Sequence, residues 1–473
     1  MRVRLTIGWL ILFTLVAAIG YAQNPPASNP LAPAPAPMAA PQLPVRTLAL
    51  AEALQIAREN NPDYLSVLND RWSVSARQRA ALLNLVTPTA SISAGSQRTN
   101  AGTTFFSTTA FPSPANTYDS WSLSLNYQLS GTTISNRSLA NADARATDAD
   151  ISGGLIVLET NIRSQYLNLL QAFAQRKLAE RSLDRTAENL SLAQARMAVG
   201  QGTLIDVRRA EVDRDQAQVN VLTARQTVDN QTLLLFQYMG VPAPDNTEVV
   251  PSDSFPVTQP LFTLDSLIRD ADRVNPSLVS ARARESSARW NTRSMVSQYL
   301  PTLQVNGRLG GYRQVNDAYV QSVTDSLGNK INIPVAANTT TSANPFSLYV
   351  GLSMPIYDGL SRASQIQQAR SLQDDAHQLV RSRELLLRSQ VVAAFNALNV
   401  AYQTIALRRA GQAAASEALD LATQRYRVGS GTYLELLDAR NAADLADANY
   451  VGSVYDYHKA IATLENAVGR PLR

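Results

Sequence analysis

The sequence alternates between apolar and polar residues in two pairs of short segments, which are separated by much longer segments of helical character. Between Trp121 and Leu129 every second residue is apolar, and the same holds between Phe346 and Ile356. A period of two predicts β-strands with one apolar face and one polar face. With a weaker partner before each, the predicted strands span about 88–100, 118–130, 301–314 and 345–357.

A helical segment precedes each predicted strand pair, and a very long one follows it. The first helix opens near Leu48 with Thr47 as its predicted N-cap. Asn61-Pro62 predicts a break in it, because proline disfavours a helical residue before it. Asn275-Pro276 stands at the matching place in the second half. Long helices are predicted at 137–198 and 361–427, return helices with a coiled-coil seam at 203–239 and 432–467, and polar loops at 100–117 and 316–345.

The two halves of the chain carry the same motif. The segment from Arg196 to Thr203 matches the segment from Arg425 to Thr432, and 229 residues separate Gly200 from Gly429. A match at constant offset indicates a duplication, so two structural repeats per chain are expected. Repeat 1 is assigned to 47–240, a proline-containing linker to 241–262 and repeat 2 to 263–473.

The N-terminus has the pattern of an export signal. Arg2 and Arg4 precede a short apolar run, and Gly20-Tyr21-Ala22 provides a small-residue cleavage site. Residues 1–22 are therefore predicted to be a signal peptide, with a retained anchor as the alternative. Residues 23–46 form a Pro/Ala-rich linker.

Composition excludes several classes of function. Charged residues make up 17% of the chain, against roughly 25% in a typical soluble domain. The net charge is +4 with the basic residues scattered, which argues against nucleic-acid binding. The chain has no cysteine, only two histidines, and no nucleotide-binding or catalytic motif. We therefore expect no enzyme activity, no cofactor and no metal site.

The strand count has a consequence if these strands cross a membrane. Alternation over about ten residues in an exported chain fits a transmembrane β-barrel, although an ordinary sandwich face would show the same pattern. Four strands cannot close a barrel, because about eight are needed to leave no open edge. Several chains would then have to share one barrel.

The order of helix, strand pair, very long helix, Val-Gly turn and return helix, written twice after a signal peptide, resembles the TolC-like outer-membrane efflux proteins. The resemblance implies a mainly α fold with a transmembrane β part. In it, a homotrimer forms a 12-stranded outer-membrane β-barrel, with four strands per chain, continued by a long periplasmic α-helical barrel. The implied function is the passive exit duct of a tripartite efflux or type I secretion system, with outer-membrane lipid around it. Its partners would be a periplasmic adaptor protein and an inner-membrane pump.

Two other classes of function share parts of this pattern. A periplasmic coiled-coil adaptor or scaffold without a channel would have the same signal peptide and long hairpins, but gives no reason for four amphipathic strands. A diffusion porin would require strands throughout, whereas most of this chain is helical in pattern.

The resemblance places the two Val-Gly turns at the periplasmic tip, where the adaptor is contacted. Glycine permits positive φ in a tight turn and leaves backbone groups open to a partner, although a plain helix C-cap needs no more than that. The predicted adaptor-contacting residues are Val199, Gly200, Val428 and Gly429.

The resemblance also implies a pore constriction just beyond these turns. The matching positions are Asp206, Glu435 and Asp438, with Tyr426 just before the second turn. A threefold axis would make each acid part of a ring of three carboxylates. The alternative is that these acids only stabilise the N-terminus of a helix through its dipole. Some relatives have an arginine where this chain has Gly431, so a latch by that arginine is not expected here, and Arg427, Arg208 and Arg209 are the nearby alternatives.

Overall fold

The computed structural model of the protein describes residues 45–106, 109–244, 248–324, 328–342 and 346–472. The predicted signal peptide at 1–22 and all but the end of the linker at 23–46 lie outside the described residues. Val45 and Arg46, which the sequence assigned to the linker, instead begin a short strand. No helix in the described ranges combines the length and the apolar character that a membrane crossing requires.

Helices make up most of the described chain, and each half contributes four α-helices. A short helix and a medium helix come before the strands of each half, and a very long helix and a return helix come after them. The helices are α1 (Leu50–Asn60), α2 (Pro62–Val86), α3 (Gly131–Ala198), α4 (Leu204–Met239), α5 (Leu264–Val274), α6 (Pro276–Val296), α7 (Ser361–Arg427) and α8 (Tyr433–Val468).

The strands lie between the medium and the long helix of each half, apart from one short parallel pair near the inter-repeat linker. The strands are β1 (Val45–Leu48), β2 (Thr89–Thr99), β3 (Gly102–Phe106), β4 (Thr109–Ser113), β5 (Asn116–Leu129), β6 (Glu248–Pro251), β7 (Thr302–Asn316), β8 (Tyr319–Thr324), β9 (Lys330–Val335), β10 (Asn338–Ser342) and β11 (Phe346–Ser353).

The four longest strands form one antiparallel sheet in the order β11-β7-β5-β2, with β10 continuing the β11 side of β7. Its outer strands, β2 and β11, each have a free edge within the described residues. Apolar side chains such as Ile92, Leu348 and Leu352 are exposed on the sheet surface. An apolar sheet with two open edges is incomplete as a single chain.

The sequence pattern predicted simple polar loops at 100–117 and 316–345, but these segments contain strands. They contain the hairpins β3–β4 and β8–β9, and β10 pairs with the far end of β7. These strands are only five or six residues long, so a periodicity argument misses them, although Ile331, Ile333 and Val335 of β9 recur at every second residue.

The break between α1 and α2 falls at Asn61, as the Asn-Pro pair predicts. The Asn61 side chain accepts a hydrogen bond from the Tyr64 N–H and donates one of 2.7 Å to the Tyr238 carbonyl at the end of α4. Asn275 makes the equivalent bond of 2.9 Å to the Ala467 carbonyl at the end of α8. In both halves the asparagine thus caps one helix and holds the end of the return helix.

The start of α1 differs from the prediction that Thr47 caps it. Thr47 lies in β1, which pairs in parallel with β6 from the inter-repeat linker, so its backbone is extended. The N–H of Leu50 instead donates to the Asp253 carboxylate over 2.7 Å. The cap therefore comes from a residue about two hundred positions away, beyond the reach of a local motif.

The long helix α3 begins at Gly131, six residues before the predicted start. Ser130 caps it by accepting a hydrogen bond from the Thr133 N–H. Gly131 lies against Ser297, where a Cβ atom would approach the serine Cβ to 2.4 Å. The chain therefore turns directly from strand into helix here, because a glycine allows close contact with the neighbouring segment.

Helix neighbours follow a simple order along most of the helices, and all four helices of the turn end share one core cluster at the turns. At the strand end the order is α2-α3-α6-α7, and towards the turns it is α4-α3-α8-α7. Equivalent core positions are filled in the two halves: Leu235 and Leu464 are both fully buried, as are Met239 and Val468. A third core cluster, from α3, α4, α7 and α8, lies at the turns.

Candidate functional site

The two Val-Gly turns between long and return helices lie side by side. In the first, Gly200 has φ +75° and donates to the Met197 carbonyl over 3.0 Å. In the second, Gly429 has φ +82°, and the N–H of Ser430 donates to the Arg425 carbonyl over 2.9 Å. These left-handed caps end both helices and require glycine.

Each turn presents an exposed valine. Val199 is 69% exposed and Val428 is 76% exposed, although valine is normally buried. Both stand beside the left-handed glycine, so each turn places an apolar side chain at the surface of the chain. This geometry can seat an apolar group from a partner protein.

Arg196, at the end of α3, ties the two turns together. Its guanidinium donates to the Tyr426 carbonyl of the second turn and, over 2.9 Å, to the Gln201 carbonyl of its own turn. It also lies over the Tyr426 ring, 4.5 Å from the centroid. Sequence reasoning missed this role, although Arg196 opens the first copy of the repeated motif as Arg425 opens the second.

Tyr426 is buried rather than exposed at the surface of the chain. It is 2% exposed, and its ring packs edge to face on Tyr433 with centroids 5.7 Å apart. Burial, with the nearby Asp206 charge, raises the pKa of its phenol. In this chain Tyr426 therefore forms the core of the tip, against Arg196 and Tyr433.

The three predicted constriction acids have different surroundings. Asp206 is held in a capping box, where its carboxylate accepts the Thr203 hydroxyl at 2.8 Å and the Thr203 N–H at 3.2 Å. Glu435 is about half exposed and lies 3.6 Å from the Arg425 guanidinium. Asp438 is exposed, with no hydrogen bond or ion pair to another described residue. Glu435 and Asp438 are therefore the acids that remain available to solvent.

Gly431, where some relatives have arginine, is closely surrounded. A Cβ at this position would lie 3.1 Å from the Arg425 Cβ and 3.2 Å from a Glu435 carboxylate oxygen. A side chain here would have to displace one of them.

A second polar cluster, which the sequence did not predict, joins α4 to α8 just above the turns. The buried Tyr433 hydroxyl donates to the Asp213 carboxylate over 2.6 Å, and the Arg440 guanidinium lies 3.8 Å from the same carboxylate. Tyr433 is only 3% exposed. Burial and this hydrogen bond raise the pKa of Tyr433 above its usual value.

We expect this cluster to make stability depend on pH in the alkaline range. The unfolded chain ionises tyrosine near pH 10, while the fold keeps Tyr433 neutral to higher pH, so its contribution is complete below about pH 10 and is lost above it. Tyr433→Phe removes the hydrogen bond, worth about 1 kcal/mol at neutral pH. Thermal unfolding in detergent at about pH 8 and pH 11 should show a smaller alkaline loss for Tyr433→Phe than for the native chain. An identical loss in both would contradict this role.

Among the described residues, no group of three or more histidine, aspartate and glutamate side chains is placed to hold a metal ion. The features that stand out in the described chain are instead an unfinished sheet at one end and a polar, tightly connected pair of turns at the other.

The open-edged sheet and the paired Val-Gly turns define a protein of long helical hairpins that carries strands at one end. Comparison with known families shows to which family this chain belongs. Residues 53–241 and 267–470 match the family described as Outer membrane efflux protein. The chain belongs to this family, and its place is the outer membrane. The family predicted from the duplicated pattern is thereby confirmed.

Individual relatives agree with this assignment. The chain is 27% identical over 318 residues to outer membrane protein TolC of Escherichia coli, a match covering 65% of this chain and 60% of TolC. It is 25% identical over 425 residues to TolC of Vibrio cholerae, covering 89% of this chain and 90% of that protein. The match to outer membrane efflux protein BepC of Brucella suis spans 61% of BepC at 26% identity.

Solved structures show the same fold at low sequence identity. The outer-membrane channel OprN has a TM-score of 0.72 at 17% identity, with 89% of each chain covered. VceC of Vibrio cholerae has a TM-score of 0.71 at 16% identity, covering 90% of this chain and 97% of VceC. The predicted mainly helical fold with a strand-bearing part is confirmed at this level.

Proposed function

We propose that three copies of this chain form a passive exit duct across the outer membrane, serving a tripartite efflux or type I secretion system. Each copy would supply four strands to a twelve-stranded barrel and its helices to a periplasmic α-helical barrel. The observation that carries the proposal is the pairing of an open-edged apolar sheet with a two-turn tip, within a family of outer-membrane efflux proteins.

The sheet supports the barrel part of this proposal. Within the described residues the outer edges of β2 and β11 pair with no other strand, and backbone groups cannot be left unsatisfied in lipid. Pairing β2 of one copy with β11 of the next satisfies both edges and closes the sheet. The exposed apolar side chains of the sheet then face lipid rather than water.

The tip supports the docking part. We infer that Val199, Gly200, Val428 and Gly429 contact a periplasmic adaptor, which connects the duct to an inner-membrane pump that supplies the energy. Support comes from the exposure of both valines and from the glycine caps beside them. Family membership favours this over a periplasmic scaffold without a channel.

The exposed acids support a constriction at the periplasmic end. Glu435 and Asp438 lie three residues apart in the first turns of α8 and so share one face of the helix. Around a threefold axis they form two rings of three carboxylates, which attract cations. Asp206 and Tyr426 border this region, with Asp206 capping α4 and Tyr426 packed beneath the second turn.

We expect that Glu435→Gln with Asp438→Asn lowers the preference of the channel for cations over anions severalfold, because the constriction loses its charge. The measurement is the reversal potential and conductance of the purified protein in planar bilayers under a salt gradient. Asp63→Asn with Asp265→Asn removes as many carboxylates per chain from exposed first turns of α2 and α5 and should leave selectivity unchanged. Equal selectivity in all three proteins would remove these acids from the pore, and no conductance at all would overturn the duct.

A further inference from the structure

One face of the sheet formed by β2, β5, β7 and β11 is polar and carries a single charged residue among its described positions. The strand register places every second residue of each strand on this polar face. Its members are serine, threonine, asparagine, glutamine, glycine and tyrosine residues, together with Arg308 of β7. Arg308 stands near the middle of β7, away from both ends of the sheet.

The surroundings of Arg308 leave its guanidinium uncovered. Ser124 lies opposite it on β5, Ser347 lies opposite it on β11, and Ser91 continues the same row onto β2. These short side chains cannot cover an arginine, and Arg308 is exposed in the chain. It makes no hydrogen bond or ion pair with another residue in the described ranges.

The other two arginines of this sheet lie on its opposite face, towards the end away from the helices, and each has an acid beside it. Arg98 pairs with Asp317 over 3.1 Å, and Arg313 lies directly opposite Asp119. The polar face offers no such partner, because its described residues include no aspartate or glutamate. The positive charge of Arg308 is therefore uncompensated on that face within the described sheet.

We propose that Arg308 attracts anionic solutes inside the outer-membrane part of the duct, where three copies place three guanidinium groups at one level. This rests on the proposed function and adds a residue that selects by charge in the barrel, far from the acids at the periplasmic end. A charge on the lipid face of a barrel is destabilising, whereas a charge in the lumen tunes selectivity. Guanidinium groups bind carboxylates and phosphates through paired hydrogen bonds, and a sulfonate presents oxygens in a similar way.

The size of a twelve-stranded barrel lets the three charges act together. Strands about 4.8 Å apart and tilted by about 40° enclose a lumen about 24 Å wide between opposite backbones. The axis then lies about 12 Å from each Arg308 Cα, and the inward-pointing side chains come closer to it. The Debye length is about 10 Å at 0.1 M salt and about 30 Å at 0.01 M. The three fields therefore overlap in the lumen, most strongly at low salt.

The absence of native cysteine lets one engineered cysteine report the local charge. Ser91→Cys lies on the row of Arg308, two strands away, and the control Gln97→Cys lies on the same face about 20 Å further along β2. The measurement compares the reaction rates of each cysteine with an anionic sulfonatoethyl and a cationic trimethylammonioethyl methanethiosulfonate. The detergent-extracted protein is used, with Arg308 present or replaced.

At 0.01 M salt, we expect Arg308→Gln to lower the ratio of anionic to cationic rates at position 91 by about tenfold, because the two reagents respond oppositely to the lost charges. At position 97 the ratio should fall by less than about threefold, since the charges are further away. Arg308→Lys keeps the charge and should keep the ratio. At 1 M salt, where the Debye length is about 3 Å, Arg308→Gln should no longer change it.

The possible failures of this proposal and of the duct can be told apart. An unchanged ratio at a reactive position 91, or an equal fall at positions 91 and 97, would overturn the role of Arg308 and leave the duct intact. If a folded protein reacted with neither reagent at position 91, the polar face would not line a water-filled lumen, and the duct would fall together with the role of Arg308. A monomer mass by light scattering would have the same consequence.

Discussion

Replacing Gly240 with alanine is expected to prevent stable folding, a large effect for the addition of one methyl group. Gly240 ends α4 with φ +76°, where an alanine costs about 1–2 kcal/mol. Its Cβ would also lie 2.4 Å from the Asn60 carbonyl oxygen and 2.8 Å from the Asn61 Cα. Both obstacles are backbone atoms at the α1–α2 break, which Asn61 fixes by its bond to Tyr238. The total should exceed about 4 kcal/mol.

Gly200→Ala is the matched control for this prediction. Gly200 has nearly the same φ, +75°, yet a Cβ there meets nothing within 4 Å. It should therefore show only the conformational cost, about 1–2 kcal/mol. The measurement is the yield of folded protein extracted from outer membranes and its apparent unfolding midpoint by circular dichroism. Similar yields and midpoints for the two variants would show that the backbone of Asn60 and Asn61 leaves room for a Cβ atom at position 240.

Gly469 provides an independent repetition in the second half. It ends α8 with φ +87°, and its Cβ would lie 2.8 Å from the Asn275 Cα and 2.9 Å from the Pro276 Cδ. Gly469→Ala should therefore resemble Gly240→Ala rather than Gly200→Ala. In both halves, the backbone at the asparagine-proline break thus leaves no room for a side chain on the glycine that ends the return helix.

These glycines show how far the sequence can predict the fold. The Asn-Pro breaks and the Val-Gly turns are local, since the preferences of proline and glycine act within a few residues. The helices and the apolar strands follow from periodicity for the same reason. What sequence reasoning did not reach is which distant backbone the cap glycines touch, because nothing near Gly240 specifies that Asn60 lies against it.

The tip shows the same limit. The repeated motif identifies the turns and the acids that follow them, but not the contacts that connect the two turns. Arg196 reaches Tyr426 across 230 residues, and Tyr433 reaches Asp213 across 220. Such pairs depend on how α3, α4, α7 and α8 come together. The hairpins β3–β4 and β8–β9 escaped detection for another reason. Each of their strands has only five or six residues, so even the alternation of Ile331, Ile333 and Val335 in β9 is too short to stand out.

Removing Arg163 is expected to destabilise the protein by about 3–5 kcal/mol, because it leaves a buried charge without its partner. Arg163 of α3 pairs with Glu465 of α8, whose side chain is only 7% exposed. Glu465 also accepts the Leu472 N–H over 3.1 Å, so this carboxylate joins both halves and the C-terminal segment. The substitution Arg163→Leu removes the cationic partner of Glu465, while the Glu465 carboxylate stays in the same low-dielectric surroundings.

The loss of the Arg163–Glu465 ion pair can be measured separately from the loss of packing around Arg163. Arg163→Leu with Glu465→Gln should recover most of the stability, because no buried charge is left, and a double-mutant cycle gives the coupling. Arg284→Leu breaks the exposed pair with Asp150 and should cost less than about 1 kcal/mol. Apparent midpoints at one scan rate provide the comparison. If the unfolding midpoint of Arg163→Leu were no lower than that of Arg284→Leu, the ion pair at Glu465 would not be a major source of stability. The apolar helix cores alone would then hold the two halves together.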